Sequence, residues 1–329
     1  MDYTTLGRTG LRVSVAGLGC GGFSRLGIGT GKSPANAEAI VRRALEVGVN
    51  LFDTAAAYGT EGVVGRAIKG MARDQVVICT KGHLPGGDGA AAAKAVVGSL
   101  ENSLRELDTD YIDVFQLHGV PPSDYDRALD AIVPALLKEK AKGKFRFLGV
   151  TETAPGDVEH AMLQRAAVDG VWDVAMVAFH MMHQNARQAV FPLTRQHKVG
   201  TLLMFAVRKI FSQPKLLSDT VAALAAEGAV PAWLAEAAAP LDFLIHPGGA
   251  ASLQDAAYRS ARHEPGVDVV LFGTGDAAHL ETNIASLLRP PLPDADRARL
   301  AELFGHLVGV GLDRPDRINK LRAQTAARP

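Results

Sequence analysis

The sequence predicts an α/β protein built as a closed (β/α)8, or TIM, barrel, and three observations carry that prediction. Eight short apolar runs recur along the chain, and most are followed by a helix-patterned, Ala-rich segment. The chain's 329 residues leave room for the roughly 250 that such a barrel needs. The runs are also too apolar to have one wet face, as expected of parallel strands covered by helices.

The elements follow in order. The opening "YTTLGRTGLRVS" reads as a hairpin with "GRTG" as its turn, assigned to residues 1–12. The barrel strands read as "VSVAGLG" (13–19), "VNLFDT" (49–54), "VVICTK" (76–81), "YIDVFQLH" (111–118), "FRFLGVT" (145–151), "VAMVAFH" (174–180), "GTLLMFA" (200–206) and "VDVVLFGT" (267–274). Apolar residues recurring at three and four predict helices over 90–107, 126–142, 251–264 and 278–288. The stretch 207–250 lies between the seventh and eighth strands and is too long for an ordinary connection. It carries Trp233, Phe243 and an Ala-rich helical pattern, and it is expected to form a lid or substrate wall over the mouth. Residues 290–329 supply a last amphipathic helix, "ADRARLAELFGHL", and a loose tail, "AQTAARP". With no linker and no larger repeat, the whole chain, 1–329, reads as one domain.

Composition narrows the function classes. Hydrophobic residues make up 47% and charged residues 21%, a globular balance. Lys plus Arg and Asp plus Glu number 35 each, so no overall basic field draws nucleic acid or an acidic membrane. Two cysteines, Cys20 and Cys79, cannot build a disulfide framework, which points to a reducing, cytoplasmic setting. The N-terminal residues do not read as a signal peptide, and no apolar run approaches the ~20 residues of a membrane span. Nothing in the sequence reads out an oligomeric state.

Three motifs compete for attention near these elements. "GLGCGG" (17–22) fits a dinucleotide-binding spacing, but no helix opens within it and Asp53 comes too late for the acid. "GIGTGKS" (27–33) resembles a P-loop, but Leu26 stands where the first Gly belongs and Pro34 follows Ser33. "HMMHQN" (180–185) places His180 and His183 three apart without a third metal ligand, so both read as loop histidines. The first two are expected to form one mobile, Gly-rich loop over the mouth.

The strand ends carry a different signal. Asp53 closes the second barrel strand, Lys81 the third and His118 the fourth, and Tyr58 rises from the loop after Asp53. Asp53 and Tyr58 alone are compatible with turn chemistry. A Lys and a His closing neighbouring apolar runs are costly to half-bury unless paired, and consecutive barrel strands bring all four side chains to one mouth.

The chain resembles the aldo-keto reductase family over almost its whole length. The resemblance rests on "LGRTGLRVSVAGLGCGG", "FDTAAAYG", "VVICTK", "DYIDVFQLHG" and "LFGTGDAAHLETN". It implies a catalytic tetrad of Asp53, Tyr58, Lys81 and His118, with NADP(H) favoured and NAD(H) possible as cofactor. It implies a small-molecule carbonyl or alcohol as substrate, met by Phe23, Tyr58 and His118. In the implied chemistry Tyr58 gives a proton to the carbonyl oxygen, and Lys81 lowers its phenol pKa from about 10. Asp53 keeps Lys81 charged, and His118 aims the oxygen. No metal is called for.

The implied cofactor contacts are Gly21, Gly22, Asp53, Thr151, Glu152, Met176, Phe205, Gly273, Thr274, Gly275, His279 and Asn283. Several depart from the family pattern. Thr151 and Glu152 replace the Ser-Asn that holds the nicotinamide amide, and Met176 replaces a Gln. His279 replaces an Arg at the ribose phosphate, and Gly273 stands at a Lys position. Glu152 reads either as an acceptor for the amide or as a solvated loop acid. "GTGDAAHL" is expected to seat a phosphate on exposed amides at a helix start. The alternative to a reductase is a cofactor-sensing barrel of feeble activity.

Overall fold

In the computed structural model, residues 1–237 and 239–312 are described. The tail "AQTAARP" lies outside them. Among the described residues ten strands occur: β1 (Tyr3–Thr5), β2 (Arg12–Ser14), β3 (Ala16–Gly19), β4 (Leu51–Asp53), β5 (Val77–His83), β6 (Ile112–Val120), β7 (Phe145–Glu152), β8 (Val174–Ala178), β9 (Gly200–Met204) and β10 (Val269–Phe272). Strands β3 to β10 close an eight-stranded parallel barrel, with β10 pairing back onto β3. The (β/α)8 fold expected from the sequence is the one observed.

The hairpin is longer than expected. It runs to Ser14, with Tyr3 opposite Ser14, and the first barrel strand begins only at Ala16. Its connection is a 3-10 turn over Gly7–Thr9 rather than a tight "GRTG" turn. Gly7 has φ +46° and lies so close to Gly200 that a Cβ would sit 2.2 Å from its nitrogen. That approach needs a residue without a side chain. The hairpin plugs the barrel floor: Leu6, Leu11 and Val13 pack against Leu51, Val77, Val114, Val174, Leu202 and Val269 from the barrel strands. The bottom is thereby sealed with apolar surface, and polar side chains concentrate at the opposite end.

Capping sets the helix starts. Ser33 Oγ accepts from Asn36 N–H with Pro34 at the first helical position, so "GKSP" opens the helix Pro34–Glu46. Asp88, Ser252 and Asp276 cap the helices Gly89–Leu107, Leu253–Arg262 and Ala277–Leu287. The helix expected over 126–142 contains a π-type turn at Ala128–Ile132, ahead of Pro134, which cannot donate to the preceding turn.

The long connection after β9 folds into the helices Pro214–Ala226 and Ala232–Glu236. Their buried Leu217, Val221 and Leu234 join Ala256, Ala257, Leu300 and Phe304 in a separate apolar cluster. Val207 and Arg208, at its start, reach the mouth. The final helix is Asp294–Phe304. Among the described residues no helix is long and apolar enough to cross a membrane.

Candidate active site

The mouth is built from neighbouring strand ends. Lys81 and His118 are not the last strand residues, as expected, but lie two positions inside β5 and β6. Lys81 is completely buried, and its Nζ lies 2.7 Å from each oxygen of Asp53. Its third hydrogen bond goes to the Thr54 carbonyl at 2.8 Å. Three donors meeting three acceptors is the arrangement that a buried ammonium requires. Gln116, on β6, adds a weaker bond from Nε2 to Asp53 Oδ1 at 3.4 Å.

The loop that carries Tyr58 is held by hydroxyls. Thr60 Oγ1 donates to the Cys20 carbonyl and lies 2.9 Å from Thr54 Oγ1. Tyr58 ends a 3-10 turn, with Gly59 in the left-handed region behind it. Its ring stacks so closely on Gly21 that a Cβ there would come within 2.4 Å of Cε2. The Tyr58 hydroxyl is 3.3 Å from His118 Nε2, and Lys81 Nζ is 5.1 Å from the Tyr58 ring centre. All four expected catalytic side chains therefore converge.

A bulge aims His118. The β6–β7 register shifts between Leu117 and Val120, and Gly119, with φ +66°, donates its N–H to Thr151 Oγ1 at 2.6 Å. Bulges of this kind redirect a side chain at a sheet rim.

Burial pushes the Tyr58 phenol above its ordinary value; Lys81 pulls it back but does not win. Lys81 thus lowers the phenol, as expected, but desolvating a phenolate outweighs it. Burial also works against the Lys81 ammonium, but Asp53 and Tyr58 outweigh it and raise its pKa. Asp53 is pushed up by burial and drawn down by Lys81. With both oxygens 2.7 Å from Nζ, the pair stands as ammonium and carboxylate. Burial, Lys81 and His83 hold His118 well below the usual histidine range, so its imidazole is neutral.

A cavity of about 290 Å³ opens beside Tyr58. Its walls include Gly19, Gly21, Gly22, Gly273, Phe23, Met176, Phe205 and Arg208. Phe205 has φ +76°, a costly conformation for a bulky residue, and the Arg208 guanidinium stacks 4.0 Å from its ring centre. Lys209 lies 4.4 Å from the Phe23 ring centre. Thr274, Gly275, His279 and Asn283 do not line this cavity.

Several expected contacts are redirected. Thr151 holds the bulge and is buried. Glu152 is neither solvated nor offered to the mouth. Its side chain has zero exposure; one oxygen lies 2.7 Å from His160 Nδ1 and the other accepts the Ala178 N–H at 2.7 Å. The amides expected to seat a phosphate are taken, since Ala278 and His279 N–H both donate to Asp276 Oδ1. Gly275 packs against Gly27, and Lys32 and Asn36 bond its carbonyl. The Gly-rich loop is thus fastened to the β10 loop. His180 and His183 lie in a loop, as expected, but are fully buried, and each accepts a backbone N–H at Nδ1, from Met182 and Gly309. Sequence reasoning also missed Gln116, His83 and Arg208. A polar residue inside the run "VFQLH" was the one available signal for Gln116.

Known proteins share both sequence and fold with this chain. The chain is 31% identical over 210 residues to L-galactose dehydrogenase of Arabidopsis thaliana, covering 61% of this chain and 64% of that protein. It is 31% identical over 211 residues to aldo-keto reductase YhdN of Bacillus subtilis (strain 168), covering 62% and 61%. The match therefore spans less than two thirds of either relative. In fold it is similar to aldo-keto reductase AKR11C1 from Bacillus halodurans, with a TM-score of 0.71 at 23% identity, covering 92% of this chain and 96% of that one. It is also similar to an aldo/keto reductase from Klebsiella pneumoniae solved in complex with NADP and acetate, with a TM-score of 0.63 at 24% identity over 92% and 96% of the two chains. Residues 17–304 match the model of the Aldo/keto reductase family, and the chain belongs to that family.

Proposed function

We propose that this chain is an NAD(P)(H)-dependent oxidoreductase that interconverts a carbonyl compound and an alcohol, with Tyr58 as proton donor in one direction and acceptor in the other. The observation that carries this reading is the fully buried Lys81 held by both Asp53 oxygens, with the Tyr58 ring above it and the Tyr58 hydroxyl 3.3 Å from His118 Nε2.

Each side chain has a task. Burial keeps Tyr58 protonated, so it arrives at the reaction as an acid. Lys81 stabilises the phenolate left after transfer, and Asp53 keeps Lys81 charged through that change. Neutral His118 donates from Nε2 to the carbonyl oxygen and fixes its direction. The nicotinamide, when bound, supplies or takes the hydride.

The residues fit that group by shape. Gly19, Gly21, Gly22 and Gly273 leave side-chain-free walls, and a Cβ on Gly22 would meet nothing within 4 Å. Met176 and Phe205 provide apolar surface opposite. Polar grips are fewer, because Thr151 and Glu152 are engaged elsewhere. NADP(H) is favoured because relatives in fold were solved with it; NAD(H) is the competitor. The substrate class is an aldehyde, ketone or sugar, with Phe23, Val207 and Arg208 as its wall. Two buried free thiols suit a reducing, cytoplasmic compartment.

The test is a screen of aldehydes, ketones and sugars with NADPH and NADH, using the purified chain. Multiple-turnover consumption of cofactor is expected, lost in Tyr58→Phe. Cofactor binding without turnover would favour the second reading, a cofactor-sensing barrel. The engaged state of Thr151, Glu152 and the Ala278 and His279 amides is what keeps that reading open.

A further inference from the structure

The His118 ring raises a question that the tetrad does not answer. An imidazole that must point one nitrogen at a substrate is ordinarily oriented by a hydrogen bond at the other. His118 Nδ1 is buried and has no hydrogen-bond partner among the described residues. The bulge at Gly119 sets where the side chain leaves the strand, but it does not fix the ring's rotation.

What lies against the ring is another imidazole. His83, on β5, is the paired neighbour of His118 on β6. Their rings stack with centres 4.4 Å apart and planes inclined by 13°. The Tyr58 ring meets His118 edge-on from another side, at 5.5 Å and 87°. A face and an edge together fix a planar ring where no hydrogen bond does.

We propose that His83 is the positioning residue for His118: its stacked ring holds the His118 imidazole in the plane that points Nε2 at the Tyr58 hydroxyl and at the carbonyl oxygen. This rests on the proposed reductase reading. The empty Nδ1 side favours the same outcome. A proton on Nδ1 would be a buried donor without an acceptor, whereas a proton on Nε2 finds the Tyr58 oxygen at 3.3 Å. The stack restrains rotation, and the tautomer follows from what each nitrogen then faces. His83 itself is exposed, so its ring is replaceable without opening the core.

The test compares wild type, His83→Ala and His83→Phe in the full chain. Nitrogen-15 NMR of the imidazoles reports the His118 tautomer directly, whether or not any substrate is turned over. Wild type should show His118 as a single neutral form protonated at Nε2. His83→Ala should broaden or split that signal, and kcat/KM for carbonyl reduction should fall about three- to tenfold, the range of one lost aromatic pair. Cofactor Kd should stay the same. His83→Phe keeps a ring and should restore both signal and rate. An unchanged His118 signal in His83→Ala would overturn the proposal. So would a failure of His83→Phe to rescue, which would assign the effect to the His83 nitrogens. If wild type reduces no carbonyl, the reductase reading fails, while the NMR comparison still decides what His83 does.

Discussion

Replacing Glu152 by Ala should destabilise the protein without retuning a cofactor. Glu152 and His160 have no exposed side-chain surface, and the carboxylate meets His160 Nδ1 at 2.7 Å. His160 Nε2 lies 3.1 Å from Asn185 Oδ1, whose own Nδ2 donates to the Val158 carbonyl. Because Asn185 Oδ1 can only accept, His160 donates at Nε2. A carboxylate at Nδ1 then favours a second proton there, and the pair stands as imidazolium and carboxylate. Removing Glu152 leaves a buried imidazolium half-partnered and deprives Ala178 N–H of its acceptor. Breaking one side of a buried pair costs about 3–5 kcal/mol, and the orphaned amide belongs to the same loss rather than adding in full. Urea unfolding of wild type and Glu152→Ala measures it. The pH dependence supplies a second reading. Burial raises the Glu152 pKa against His160's pull, and Glu152 raises the His160 pKa against burial. The folded pair therefore keeps a shared proton to higher pH than the unfolded chain does. The stability it contributes is present below the ordinary histidine value of about 6.5 and is lost as pH rises through the folded value. One extra proton bound by the folded state gives a slope of at most about 1.4 kcal/mol per pH unit, and Glu152→Ala should abolish that slope. A loss below about 1 kcal/mol would refute the structural role. So would a tenfold change in the affinity ratio of oxidised to reduced cofactor with stability intact, which is what a carboxylate facing a nicotinamide would produce.

The other predictions concern the mouth. Tyr58→Phe should reduce carbonyl reduction at least ~10²-fold while cofactor binding, followed by fluorescence titration, persists. Gly21→Ala should slow turnover about tenfold or more, because its methyl would sit 2.4 Å from the Tyr58 ring and displace the acid; steady-state kinetics at saturating cofactor checks it. With burial holding the phenol above its ordinary value, carbonyl reduction should stay level through neutral and mildly alkaline pH, whereas a fall near pH 7 would remove Tyr58 from the acid role. Lys81→Met should leave Asp53 buried without its cation and lower stability by about 3–5 kcal/mol, read by urea unfolding, as well as abolish turnover.

How much was legible follows from the kind of signal each residue leaves. The barrel was legible because eight apolar runs at strand length cannot be arranged with one wet face. The convergence of Asp53, Tyr58, Lys81 and His118 was legible because Lys81 and His118 interrupt such runs, and an interruption is visible in one dimension. Strand ends were misplaced because hydrogen bonding continues through Gly82–His83 and Gly119–Val120, where the apolar pattern has already stopped. Two amides of the expected phosphate seat are capped for a local reason. Asp276 reads equally well as the start of an open turn or as a cap, and only the side-chain rotamer, bonded to Ala278 and His279 N–H, decides. The His83 stack left no trace at all, since it depends on the register of two strands separated by a whole helix.

Glu152 and Asp53 show where sequence reading reaches its limit, because both are acids at the ends of buried parallel strands and both bind a basic side chain at 2.7 Å. Nothing in "FLGVTE" or "NLFD" separates them. The difference is what the remaining contacts face. Asp53 spends both oxygens on one ammonium, and Tyr58, packed on that ammonium, borders a cavity open to ligand, so a proton moved at the cavity is felt by the pair. Glu152 spends its second oxygen on the backbone amide of Ala178, the last residue of β8, and His160 leads away to Asn185 and the Val158 carbonyl. That chain ends in main chain, so its charge fastens two strand ends and is shielded from the reacting centre. Of the two buried acids, Asp53 borders the cavity and is coupled through Lys81 to Tyr58, whereas the Glu152 pair closes on the backbone.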